Sequence, residues 1–501
     1  MTTVTSFAST SLLDRIGASR ASLAAPLRQG AAANPSTRVT WGSGRDGAAV
    51  YSDPRARPGT VSLWASPVDP DDAVSALMAR NRGLGSSHLR DQWRGLGGAL
   101  LARFGQTGEG YSQTLVDDVP LAADAGREGL SPEEQAWLAG EIQARRTAAL
   151  DGVATHASTA GLRVQTRSGQ TVELQIAVNP GLDGIVGMKV ELKASGTLSP
   201  EERAAVAQLA QGLDRALEGL GRDDAVGLDL SGLMGYDRGA LASVDLTVNN
   251  SMTHQALGSF SLHLGDDKRQ VALKGSDGEM RLSVDAATLP GGTAALAGML
   301  ARMGNVGERG RANAALVEQM KAAFTQLQAG PREADAASPL SGLADFDASL
   351  SGETWRSNAS GTTNEAGQLA WQLSQKTTLG KGRKAATQIV SEELSADTRK
   401  AAPGRMLDVR TGNYAATHVR DRSTVTAVAE RGDRGAIRAL RKTDAQQLKT
   451  VTEFENHRVV CQQSWPAHHS LLERLGQAVS PASPGSGWSA GRRGTAPAGL
   501  R

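Results

Sequence analysis

The chain has 501 residues, 40% of them hydrophobic and only 4% aromatic, with 54 basic against 52 acidic side chains and a formal net charge of +2. That length supports two or three domains whose cores are built largely from Ala, Leu and Val. The near-neutral balance argues against strong attraction of the whole chain to nucleic acid or anionic membrane, and no apolar run reaches the length of a membrane-spanning helix.

Residues 1–65 are rich in Ser, Thr, Ala, Gly and Arg and poor in apolar periodicity, the composition of a disordered segment. They lack the apolar stretch of a secretory signal peptide, having only the short amphipathic piece Leu12-Leu13-Asp14-Arg15-Ile16. The expected location is therefore the cytoplasm, or outside the cell by secretion without a cleaved signal peptide. Gly42-Ser43-Gly44-Arg45-Asp46-Gly47 matches a dinucleotide fingerprint as a string. Its context fails, because Pro54 and Pro58-Gly59 follow where the phosphate-binding helix should run.

Residues 66–155 read as a helical region. Val74, Leu77 and Met78 mark one helix, and Leu89, Trp93, Leu96, Leu100, Leu101 and Phe104 mark another beyond Gly83–Ser87. Leu89, Trp93, Leu96 and Leu100 are candidate partner-binding residues, although stripes at this spacing usually pack into a core. A further helix starts at Ser131-Pro132-Glu133-Glu134, a capping box, and carries Trp137, Leu138 and Ile142.

Residues 156–330 predict an antiparallel sheet with packed helices. Leu162, Val164 and Thr166 alternate with polar residues, Ser168-Gly169 turns the chain, and Val172, Leu174, Ile176 and Val178 alternate again. Met188, Val190 and Leu192 add a third strand. Ser199-Pro200-Glu201-Glu202 repeats the capping box and opens a helix whose apolar stripe is Val206, Leu209, Leu213 and Leu217. Period two returns at Val244–Val248, Phe260–Leu264, Val271–Leu273 and Met280–Val284, linked by short turns that favour a meander with one wet face. Thr293–Met303 and Ala312–Leu327 read as helices.

Gly330–Pro339 breaks the pattern and marks a boundary. Residues 340–465 predict a second β-rich region, from Leu369, Trp371 and Leu373, from Val425, Ala427 and Ala429, and from Val451–Phe454. Lys376–Arg458 holds 17 basic and 10 acidic residues, but the two signs interleave and no nucleic-acid module is present, so nucleic-acid binding is not favoured. Arg431-Gly432-Asp433, between two predicted strands, could be displayed as an adhesion-like tripeptide, although Gly-Asp is ordinary turn chemistry. The single cysteine, Cys461, excludes an internal disulfide. Residues 466–501 read as a helix and a low-complexity, disordered tail.

There is no H-E-x-x-H and no phosphate loop, and Gly380-Lys381-Gly382 lacks the flanking residues such a loop needs. His468-His469 would point in different directions on a strand or a helix, and His254 and His263 stand alone. Glu201-Glu202 belongs to a helix start and Asp223-Asp224 to a turn. No metal and no cofactor is expected, and the chain leans away from an enzyme, although a site assembled from distant strands would leave no local signature.

Ser11–Arg15, Asp72–Met78, Arg94–Leu101, the hairpin, Leu198–Glu202 and Val244–Val248 follow in an order that resembles large proteobacterial proteins of unknown function. The resemblance covers roughly the first half of the chain. It implies a bacterial origin and carries no activity. The expectation is an α+β protein, mostly antiparallel sheet covered by amphipathic helices, with disordered tails. It would contact a protein partner, with a dispersed hydrolase-type site or a carrier of an apolar ligand as alternatives.

Overall fold

In the computed structural model the described residues are 60–83, 88–120, 131–181, 185–222, 227–252, 256–288, 295–329, 340–357, 361–380, 384–402, 405–431 and 437–475. The chain starts with β1 (Thr60–Trp64), α1 (Ala73–Gly83), α2 (Leu89–Trp93), α3 (Leu96–Thr107), β2 (Tyr111–Pro120) and α4 (Pro132–Gly152). A meander of β3 (Ser158–Thr166), β4 (Thr171–Pro180) and β5 (Val186–Ala194) leads into α5 (Pro200–Gln208), α6 (Ala210–Leu220) and α7 (Ser231–Met234). Four more strands follow: β6 (Leu241–Asn249), β7 (Ser259–Leu264), β8 (Lys268–Gly275) and β9 (Gly278–Asp285). After α8 (Leu296–Gly310) and α9 (Ala314–Leu327) come β10 (Phe346–Ser357), β11 (Thr363–Leu379), β12 (Lys384–Lys400), β13 (Tyr414–Arg431), β14 (Ile437–Glu455) and β15 (Arg458–Leu475).

All these strands join one antiparallel sheet in the order β1-β2-β5-β4-β3-β6-β7-β8-β9-β10-β11-β12-β13-β14-β15. The helices α5 to α7 carry the chain back across the first meander, so that β6 can pair with β3. The two β-rich regions are continuous, because β10 pairs with β9 from Phe346 opposite Val284 to Ser351 opposite Glu279. The boundary at 330–339 therefore does not separate two sheets.

Alternation makes the sheet two-faced. Along β3, Ala160, Leu162 and Val164 are buried while Arg163 and Gln165 are exposed. The dry face packs on the helices, with Trp93, Leu96, Leu101 and Phe104 in the same core as Leu174, Ile176 and Val190. This is the sheet expected from the period-two runs, wet on one side and covered on the other. Glycine lets α3 and α6 approach: a Cβ on Gly98 would lie 2.1 Å from Oδ2 of Asp214. Instead the Gly98 N–H donates to Asp214 Oδ1 at 2.8 Å, and burial pushes the Asp214 carboxyl above its ordinary value.

Both capping boxes form as expected, at Ser131 with Glu134 and at Ser199 with Glu202. Their helices differ in what they bury. Helix α5 buries Glu202, Ala205 and Val206, whereas α4 buries none of its residues and leaves Trp137 71% exposed. Helix α8 runs beyond the expected end at Met303, because Gly307 packs against Val317 of α9 and Gly310 against Leu369 and Leu394 of the sheet.

Several boundaries move. Strand β1 falls inside the expected disordered segment 1–65, and β2 interrupts the expected helical region 66–155, held by β5 on one side and β1 on the other. Residues 466–475 continue β15 rather than forming a helix, since Pro466 to Leu475 pair with Leu448 to Ala439 of β14. Edge position explains the tolerance of Pro466, which has no N–H for an inner ladder. Residues 1–59 and 476–501, with the expected tails, lie outside the described residues, as do Gly432, Asp433, His254, Asp223, Asp224, Lys381 and Gly382.

Candidate functional surfaces

The register of the strands stacks polar side chains into rows on the wet face. One row runs Asp245, His263, Gln270, Ser283, Asp347, Ser374, Ser391 and Thr424 on eight successive strands, β6 to β13. A parallel row two residues away holds Arg281, Ser349, Gln372, Glu393 and Arg422. Between them the face sinks into a depression of about 810 Å³.

Its charges are matched in pairs. His263 Nδ1 lies 2.6 Å from Asp245 Oδ1, Arg422 donates to Glu393 at 3.0 Å, Lys376 donates to Asp347 at 3.2 Å, and Arg281 is paired with Glu279. Beyond the rim, Asp397 accepts from both guanidinium nitrogens of Arg420 at 3.0 Å, with His418 Nδ1 at 2.5 Å. Burial acts to raise the Asp397 carboxyl, but the hydrogen bonds with Arg420 and His418 outweigh it and hold the group below the usual carboxylate range. Ion pairs continue into β14 and β15, where Lys442 meets Asp444 at 2.8 Å and Arg441 meets Glu473 at 3.5 Å.

The Asp245 and His263 pair has the geometry of an oriented imidazole. Gln270 is the other cross-strand neighbour of His263, and Ser283 stands two strands away in the row, roughly 10 Å at ordinary strand spacing. The hydroxyl of Ser283 is therefore beyond direct hydrogen-bond reach of the imidazole.

A second surface lies at the far end of the sheet. Helix α8 reaches β12 and β13 through Arg302 to Glu392 at 3.2 Å and through Arg309 to Asp421. Past that line β14 and β15 have few buried side chains, and from Gln462 to Ser470 every residue of β15 is exposed. Large apolar side chains stand in water here, including Trp465 at 49% and Leu472 at 68% exposure, with Val459, Val460 and Leu471. Cys461 is partly exposed on the same strand.

The expected interaction residues separate. Leu89, Trp93, Leu96 and Leu100 are all buried, at 3% exposure or less, so this stripe is core and does not present a partner surface. Arg431 ends β13 opposite Ile437, while the rest of the tripeptide lies outside the described residues. The bare end of β14 and β15 escaped sequence reading because alternation shows which residues share a face, and a covered face and an uncovered one look alike. Its one legible sign was Pro466, which fits an edge strand and no inner one.

No family model, curated protein or solved structure matches this chain. Among the described residues no group of three or more His, Cys, Asp or Glu could hold a metal ion, and no helix is long and apolar enough to cross a membrane.

Proposed function

We propose that this chain is a non-enzymatic protein-interaction protein of bacterial origin whose contact surface is the bare end of the sheet, β14 and β15. One observation carries the reading: an 18-residue edge strand stands clear of the helix layer with Val459, Trp465, Leu471 and Leu472 exposed. Pro466 blunts backbone pairing along this edge, and the exposed apolar side chains on the bare end of the sheet favour association through its faces. Affinity capture from the native cell, comparing the wild type with Leu472→Lys, tests it. A partner retained by the wild type and lost by the variant supports the reading, and capture that ignores the substitution sinks it.

Export is proposed alongside, from the Ser- and Thr-rich start of the chain. Deleting residues 2–30 should then abolish appearance of a C-terminally tagged protein in the culture supernatant. Retention inside the cell in both forms, against a lysis marker, would remove this part.

A dispersed hydrolase-type site is the second reading, favoured by the Asp245 and His263 pair in the polar depression. It requires a substrate whose turnover falls with His263→Gln. The carrier reading has less support, because the depression is lined by Ser, Gln, Asp and Arg side chains, which suit a polar guest.

A further inference from the structure

We propose that the depression on the wet face is a binding site for a neutral oligosaccharide. It reaches from Asp245 and Thr247 on β6 to Arg422 and Thr424 on β13, an arc of eight strands that spans roughly 34 Å at ordinary spacing. One depression bounded by all of them requires the wet face to be concave there. The small Ser and Thr side chains along its two rows leave the middle open.

The rows change chemistry where the depression begins. Before Asp245 the first row continues through Arg163, Glu173 and Lys193 on β3, β4 and β5, a run of charges joined by ion pairs, as on an ordinary solvated face. Past His263 the same row reads Gln270, Ser283, Ser374, Ser391 and Thr424, interrupted only by Asp347. The neighbouring row brings Thr247, Ser261, Ser349 and Gln372. Charge gives way to hydroxyls and amides on the part of the face that curves inward.

That lining selects its guest. The charges around it already have partners, so an anion or a cation must break a pair to gain one. Among the described residues Ala272 is the only apolar side chain that points in, since Leu262 and Leu373 border the depression but are buried toward the helix layer. A lipid finds no dry surface, and a flat aromatic guest finds no ring to stack on. Gln270 donates to Ser283 at 3.2 Å, while among the described residues the side chains of Ser349, Gln372, Ser374 and Ser391 have no hydrogen-bond partner. Hydroxyl and amide groups each donate and accept, and a chain of linked sugars offers the same mixture on every side. Laid along the rows, it meets the side chains of a new strand about every 4.8 Å. The site stands apart from β14 and β15 and requires no turnover at Asp245 and His263.

Saturation-transfer NMR of the full chain with maltohexaose, cellohexaose and xylohexaose, each up to about 20 mM, tests the proposal. At least one should bind with a dissociation constant of about 0.1–5 mM, because hydrogen bonds exchanged with water add little each and no ring stacking helps. Since the guest is neutral, that constant should not move between low and high salt. The double variant Ser349→Val with Ser374→Val, and separately Gln372→Leu, should each weaken binding at least about tenfold by leaving sugar hydroxyls unpaired. Their urea midpoints should match the wild type, as exposed strand positions tolerate such changes. Lys193→Gln, on the same row outside the depression, should change nothing.

No binding of any of the three hexasaccharides overturns the proposal. So does binding that ignores both trough variants, or that falls equally with Lys193→Gln. Tighter, salt-dependent binding of hexagalacturonate would show that the site selects charge and would overturn the neutral guest.

Discussion

Arg309, in the last turn of α8, grips Asp421 of β13 with two guanidinium nitrogens, Nη2 donating to Oδ1 at 2.8 Å and Nε to Oδ2. The hydrogen bond to Asp421 holds the Arg309 guanidinium above its ordinary value. The carboxylate is mostly buried, and the pair lies near the line where the helix layer stops and the uncovered sheet begins.

Replacing Arg309 by Ala should therefore cost about 1–3 kcal/mol, because it leaves a partly buried carboxylate without its partner. Asp421→Asn, which keeps the shape and removes the charge, should cost less. Urea midpoints of the two variants check the order, and a larger loss for Asp421→Asn would mean that the carboxylate is satisfied by other groups.

Two tryptophans test the division between core and surface. Trp93 is 1% exposed and Trp465 is 49% exposed. Trp93→Ala should destabilise the fold by about 3–5 kcal/mol. Trp465→Ala should leave the midpoint of the monomer within about 0.5 kcal/mol, as a surface change does. A large cost for Trp465 in dilute monomer would show that β15 is held more firmly than its exposure implies.

The two capping boxes give a matched pair. Ser199→Ala should lower global stability by about 1 kcal/mol, since α5 is part of the cooperative core. Ser131→Ala should fray α4 in hydrogen exchange with little change in the global midpoint, because α4 buries nothing.

Acid should act through the Ser199 box. The Glu202 carboxyl is lowered to about 2, chiefly by the side-chain hydrogen bond with Ser168, helped by the Ser199 N–H at 3.0 Å and opposed by burial. The folded value lies below the unfolded one, so the charged form stabilises the fold. That contribution is fully present above the ordinary carboxylate value near 4.5 and is lost as pH falls toward 2. Wild type should lose more stability than Glu202→Gln across this window in urea titrations. Equal slopes would remove Glu202 from the acid response.

The sequence by itself determined the local units. Period two in Leu162–Thr166 and Val244–Val248, the boxes at Ser131 and Ser199, and the stripe from Leu89 to Phe104 each follow from the repeat of side-chain direction along a strand or helix, which nearest neighbours in the chain decide. Strands β1, β2, β10 and β12 were not recognised as such. In β2 the polar Asp117 and Asp118 interrupt the apolar run, and in β12 Gln388 and Glu392 interrupt the inward-facing series of Ala386, Val390, Leu394 and Ala396.

Only the tertiary structure decided that the two β regions are one sheet, that Trp93 is covered while Trp465 is not, and that Asp245 and His263 meet in a polar depression. These depend on which strand pairs with which and where the helix layer ends. Both are set by contacts among residues far apart in the chain, and an alternating run carries no record of what will lie beside it or above it.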